Sequence, residues 1–292
     1  MKLLFFDTIS NILIRSISTN KLKDFYFIIE KVTSLLEILE TEEKKFNLFS
    51  KILLKLKQLN FINDKYKEDI FKLINSNLNF NNDNLKIFSY NNLISICNNI
   101  NDKNNRDLYI NNFISFFKKL NITSNNIFPL IQISLTLLKG IDSNNSILII
   151  DKIIENEQLK NYNDAIIFLF KELSFLGNLY LEDELINKIS NIINKINQKS
   201  LNDKQLYNIA ISYIQIDNFE KFISYYTYIK DINIKNRIQY EVINLLFSRE
   251  DINNLKNFLE YTLDSSSNLD LLLSYIILLN DNDYYIDNLS IL

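Results

Sequence analysis

Apolar side chains recur every three or four positions along nearly the whole of this chain, in blocks separated by short polar breaks. This spacing places the apolar residues of each block on one side of an α-helix. In the block 42–59, for example, the stripe consists of Phe46, Phe49, Ile52, Leu53, Leu56 and Leu59. We count about fourteen such blocks of roughly 11–18 residues, a usual length for helices. Because most breaks are only about two to six residues long, consecutive helices are expected to pack antiparallel.

Glycine and proline are too scarce for most β-rich or phosphate-binding folds. The 292 residues include two glycines, Gly140 and Gly177, and one proline. A β-sandwich or barrel needs residues that tolerate positive φ at turns about every 8–12 residues. Nucleotide-binding loops need glycine so that the backbone can approach the phosphates. Since asparagine can adopt positive φ at single positions, the composition favours an all-α protein whose helices are joined by loops rich in Asn and Asp.

The polar breaks also suggest an internal repeat. Breaks near residues 20, 60, 177 and 217 indicate a period of about 40 residues. One pair of amphipathic helices cannot bury its apolar faces alone, and neighbouring pairs in a stack complete the core. No linker stands out by length or composition. We therefore predict one helical-repeat domain over 1–292, an α-solenoid of antiparallel helix pairs, with a loose tail of about ten residues at its end.

The segment 206–229, LYNIAISYIQIDNFEKFISYYTYI, is the most readable unit. It has a small residue, a tyrosine, a tight turn, an aromatic followed by an acidic–basic pair, and another aromatic, namely Ala210, Tyr213, Asp217-Asn218, Phe219, Glu220-Lys221 and Tyr226. In this order the segment resembles a tetratricopeptide (TPR) helix pair. The resemblance implies a right-handed superhelix whose concave face holds a protein or peptide. Phe222 stands where the family usually has a small residue, and no proline closes the unit, so the repeats are interpreted as degenerate.

The residue types that most often carry catalysis or bind metals are scarce. The chain has no histidine, which excludes a Ser-His-Asp triad and any His-containing metal site. The single cysteine, Cys97, lies in an apolar stretch and is expected to be a buried structural thiol. The acidic cluster 182–184 fits the dipole of a helix start better than a catalytic carboxylate pair. The acidic run 280–287 lacks the glycine and the final glutamate of a calcium loop. We expect no enzymatic activity, no cofactor and no metal.

Tyrosine and phenylalanine are the conspicuous surplus, with 16 and 21 copies. Tyrosine is favoured at protein interfaces because it buries a large area and keeps a polar group. The candidate partner-binding residues on the concave surface are Tyr207, Tyr213, Tyr225 and Tyr228. The alternative interpretation is core packing combined with the codon bias of an AT-rich genome, which also accounts for the abundant asparagine.

The most consistent function is a non-enzymatic scaffold that presents a concave surface to a partner protein or peptide. A structural subunit of a larger assembly is the alternative, and a carboxylate-based enzyme is a remote one. The formal net charge of −3 argues against nucleic-acid binding. Asp7 and Arg15 interrupt the N-terminal apolar run, so an amphipathic helix is expected there instead of a signal peptide. The longest uncharged apolar run, near 271–279, is too short to span a membrane. We expect a cytoplasmic location and leave homo-oligomerisation open.

Overall fold

The structure is a computed structural model that describes residues 8, 11, 12, 15–17, 19, 21–39, 41–57, 62–76, 78, 80–139, 141–156, 162–176 and 183–263. All regular secondary structure in these residues is helical, and they contain no β-strand. The prediction of an all-α protein is therefore confirmed. The chain divides into two compact units, Met1–Tyr162 and Asn163–Leu292. That all 292 residues form one repeat domain stays a prediction.

Seven helices of the first unit have both ends among the described residues. They are α1 (Leu22–Ile38), α2 (Glu42–Leu56), α3 (Asp64–Ser76), α4 (Asp83–Asn99), α5 (Lys103–Lys119), α6 (Ile127–Leu138) and α7 (Ser143–Ile154). Helix α4 is the central one, because it packs against α2, α5 and α6. Helix α6 also packs against α7. Helices α2, α4 and α6, which alternate along the chain, thus lie side by side.

In the second unit, too, alternate helices lie side by side. It contains α8 (Asn163–Leu176), α9 (Asp183–Ile193), a short 3-10 turn (Gln198–Ser200), α10 (Asp203–Gln215), α11 (Phe219–Tyr226), α12 (Ile232–Ser248) and α13 (Ile252–Leu263). Helix α10 packs against α8, α11 and α12, while α9 packs on α8 and α13 on α12. Contacts between helices two apart in sequence are what stacked helix pairs require. The path and handedness of a superhelix stay predictions.

Tight turns between the helices of a pair are made without glycine at three positions. Asn101, Asp217 and Glu250 have φ values of 57°, 58° and 57°, and each follows the first helix of a pair. In each case the next N–H donates to the carbonyl five residues back, from Asp102 to Cys97 (2.8 Å), from Asn218 to Tyr213 (2.9 Å) and from Asp251 to Leu246 (3.0 Å). This is the hydrogen bonding of a Schellman helix end. A chain poor in glycine therefore closes these turns with polar residues.

A short sequence pattern, Asp-x-Asn-Asn, stands at the start of α5, α7 and α13. It starts at Asp102, Asp142 and Asp251. Each aspartate accepts a hydrogen bond from the backbone N–H of the final asparagine, at 3.2, 3.1 and 3.2 Å, and from its side-chain amide, at 2.8, 2.7 and 2.7 Å. This is N-capping with a second, side-chain hydrogen bond. Asp102 and Asp142 are 40 residues apart in the chain, which equals the predicted period.

The starts of α2 and α10 are capped by different side chains. The hydroxyl of Thr41 caps α2 and accepts the N–H of Lys44 at 3.3 Å. Helix α10 begins at Asp203, but its cap is Asn202, which forms a capping box with Gln205. The Asp203 carboxylate instead accepts the backbone N–H of Asp231 at 2.7 Å. It therefore links the start of α10 to the start of α12.

Candidate partner-binding groove

A groove of about 700 Å³ lies in the second unit between α8, α10 and α12. We call it the α10 groove, since α10 forms its floor. Helix α8 contributes Lys171, Glu172 and Phe175, and helix α10 contributes Tyr207, Ile211, Ile214 and Gln215. Helix α12 contributes Arg237, Tyr240, Glu241, Val242, Asn244, Leu245 and Ser248. These residues recur every three or four positions, so each helix presents one continuous stripe to the groove.

The groove has an apolar floor and an exposed aromatic ring on each side. Ile211 and Ile214 are buried along the floor. Phe175 on α8 is 52% exposed and Tyr240 on α12 is 59% exposed. Large exposed apolar side chains are unremarkable when they occur singly, but a set of them around one concavity indicates an interaction site. The floor and the two rings therefore form the apolar part of a candidate binding surface.

Tyr207 is the centre of the polar part of the groove. Its hydroxyl donates to Glu241 Oε2 at 2.8 Å. Arg237 Nε donates to Glu241 Oε1, also at 2.8 Å. The Arg237 guanidinium lies 5.0 Å from the centre of the Tyr207 ring, and Lys171 Nζ lies 6.0 Å from it. These distances fit cation–π contacts. Partial burial and the neighbouring Glu241 carboxylate raise the pKa of Tyr207 to about 12, so the phenol remains a hydrogen-bond donor at neutral pH.

Helices α10 and α12 are held together at both ends of the groove. At one end the Asp203 carboxylate accepts the N–H of Asp231. At the other end Arg249 donates to the carbonyl oxygens of Ile214 at 2.9 Å and Gln215 at 3.0 Å. Arg249 thus satisfies carbonyl groups that the end of α10 leaves without partners inside the helix. The floor and one wall of the groove are therefore fixed before any partner arrives.

The four predicted tyrosines lie in different environments. Tyr207 lines the groove, as described above. Tyr213 and Tyr225 are buried, with their rings stacked at 5.5 Å, so they form core rather than surface. The Tyr213 hydroxyl donates to Asn194 Oδ1 at 3.0 Å, and that of Tyr225 donates to the Ile193 carbonyl at 3.3 Å. Tyr228 follows α11, is 40% exposed, and does not line the groove.

The sequence analysis missed both rim aromatics, Phe175 and Tyr240. A signal for Tyr240 was present, because the buried stripe of α12 runs through Ile238, Val242 and Leu246. Tyr240 falls on the other side of that helix, among polar residues, where an aromatic side chain has no role in the core. An outward-facing aromatic would have been a better guide than the number of tyrosines.

The other candidate sites are Cys97, a second cleft and two acidic segments. Cys97 is buried, as predicted, and burial raises the pKa of its thiol. A second cleft of about 760 Å³, between α3 and the start of α5, contains the ion pair of Lys67 Nζ with Asp102 at 3.0 Å. No group of three or more potential metal ligands occurs in the described part of the chain. Residue 182, the side chains of 183 and 184, and the acidic run 280–287 lie outside the described residues.

None of the helices among the described residues combines the length and apolarity needed to cross a membrane. Comparison with protein-family models, with curated proteins and with solved structures finds no match to the chain. A function for this protein therefore has to be argued from the groove itself.

Proposed function

We propose that this protein is a non-enzymatic interaction scaffold, a degenerate TPR-like solenoid that binds a segment of another protein in the α10 groove. The observation that carries the proposal is the pair of exposed rings, Phe175 and Tyr240, on either side of a buried apolar floor. Exposed aromatics cost solubility, and aromatic side chains that pack against a partner dominate binding energy at interfaces. A partner that packs against these two rings would account for their exposed positions.

The fixed geometry of the groove also supports this function. The Arg249 and Asp203 contacts hold α10 and α12 in place, and Tyr207 bridges them through Glu241. A preformed site loses less conformational entropy on binding than one that must be ordered by its ligand. As part of the same proposal we infer a cytoplasmic location, where the single cysteine would stay reduced.

The test is a selection of random peptides of about 16 residues, displayed on phage, against the immobilised full chain. Enriched peptides are then measured against the double variant Phe175→Ser/Tyr240→Ser. We expect the dissociation constant to rise by about tenfold or more, because each ring is a candidate hot spot. The matched control is Tyr228→Ser, which removes an exposed tyrosine outside the groove and should leave binding unchanged. Selected peptides that bind all three proteins equally would contradict the proposal.

A further inference from the structure

We infer that the α10 groove recognises an arginine side chain of the partner segment, which lies against the rim rings of Phe175 and Tyr240 and forms an ion pair with Glu172. This inference rests on the proposed function and adds the chemistry of the residue that the groove recognises.

The charge of Glu172 is the first argument. Four of the described residues that line the groove are charged, namely Lys171, Glu172, Arg237 and Glu241. Arg237 and Glu241 are paired with each other at 2.8 Å. The Lys171 ammonium lies over the Tyr207 ring. Glu172 forms no hydrogen bond, ion pair or ring contact within the described part of the chain. The groove therefore offers one carboxylate without a partner, and a cationic group complements it.

The position of the rim rings is the second argument. Glu172 and Phe175 are three residues apart on α8, so their side chains are neighbours on one face of this helix. Tyr240 lines the opposite wall of the groove. A cation is attracted to the face of an aromatic ring when it lies within about 6 Å of the ring centre. A cationic side chain that pairs with Glu172 therefore also reaches an aromatic ring.

The groove already holds one arginine in this way. The guanidinium of Arg237 lies 5.0 Å from the centre of the Tyr207 ring, and its Nε donates to the Glu241 carboxylate at 2.8 Å. Glu172 and the rim rings offer the same combination of carboxylate and aromatic ring to a partner. Arginine suits this combination better than lysine, because its planar guanidinium stacks on rings and donates several hydrogen bonds to a carboxylate.

The experiment starts from the random peptides selected on the immobilised full chain. Among peptides that Phe175→Ser/Tyr240→Ser weakens, we expect one enriched arginine position. These peptides are then measured against Glu172→Gln, which keeps the shape of the side chain and removes its charge. We expect the dissociation constant to rise by about tenfold, because a charge-assisted pair is lost. The matched control is Glu220→Gln, an exposed glutamate of α11 that does not line the groove, and it should leave binding unchanged.

A change in the peptide tests the same contact from the other side. Citrulline in place of the enriched arginine keeps the shape of the side chain and removes its positive charge. We expect the citrulline peptide to bind wild type about tenfold more weakly than the arginine peptide does. It should bind Glu172→Gln as well as it binds wild type, since the ion pair is absent from both complexes.

The possible outcomes separate this inference from the proposed function. Peptides that need the rim rings but carry no basic residue, or that bind Glu172→Gln as tightly as wild type, would overturn the arginine site and leave the proposed function intact. If every selected peptide binds the ring variant as tightly as wild type, both are overturned. An excess of arginine among such peptides would reflect only attraction to a chain of net charge −3. Thermal melts of each variant establish that it is folded.

Discussion

The aromatic core and the aromatic rim of the second unit use the same residue types for opposite purposes. In the core, the rings of Tyr213 and Tyr225 stack on each other and their hydroxyls are satisfied within the unit. On the rim, Phe175 and Tyr240 are more than half exposed. The comparison shows that an excess of aromatic residues in a helical protein is not itself a sign of binding. The direction in which each ring points from its helix separates the two roles.

The largest expected difference between core and rim is in stability. Tyr225→Ala removes a buried ring that stacks on Tyr213, so it should lower the free energy of unfolding by about 3–5 kcal/mol. Tyr240→Ala removes an exposed ring and should change it by about 0.5 kcal/mol or less. Urea unfolding followed by circular dichroism measures both. Similar losses in the two variants would break the distinction between core and rim.

A substitution on the buried side of α10 tests how tightly the core is packed. Ala210 is fully buried on this helix, which packs against α8, α11 and α12. Ala210→Trp should overpack these contacts and cost about 1–3 kcal/mol or more. Lys204→Trp places the same side chain on an exposed position of α10 and serves as the control. A melting temperature for Ala210→Trp equal to that of wild type would show that the core around α10 has unfilled space.

Tyr207 lies between the two classes, since its ring is partly buried and its hydroxyl bonds to Glu241. Tyr207→Phe keeps the ring against Arg237 and removes only the hydroxyl. The expected loss is about 1 kcal/mol, the usual net contribution of one hydrogen bond. Because Glu241 is the acceptor, the effect should be much smaller in a Glu241→Ala background, where no side-chain acceptor remains at this position. An equal loss in both backgrounds, measured by urea unfolding, would mean that the hydroxyl stabilises the unit through some other group.

The sequence was a good guide to the helices and a poor one to the groove. The predicted block 42–59 and the observed helix Glu42–Leu56 share a start, because periodicity and the Thr41 cap are local signals. The site is harder to predict because α10 is covered by three helices, so apolar residues lie on most of its sides. The helical wheel therefore cannot distinguish Tyr207, which lines the groove, from Tyr213, which is buried. The Asp-x-Asn-Asn turns were missed because the many asparagines were attributed to codon usage.

The last expected effect appears at alkaline pH. Burial raises the pKa of Tyr213 to about 12, whereas a tyrosine in an unfolded chain has a pKa of about 10. Above pH 10 the phenol therefore ionises in the unfolded chain before it ionises in the folded one. The stability that the neutral phenol contributes is complete below pH 10 and is lost as the pH rises towards 12.

Tyr213→Phe lacks this titrating group, and it also loses the hydrogen bond to Asn194. The variant should therefore be less stable than wild type at pH 8, and the difference should shrink at pH 11, as measured by urea unfolding at both values. Tyr240→Phe makes the same substitution on an exposed ring of the rim and serves as the control. A difference between Tyr213→Phe and wild type that stays constant from pH 8 to pH 11 would show that burial does not raise the pKa of the Tyr213 phenol.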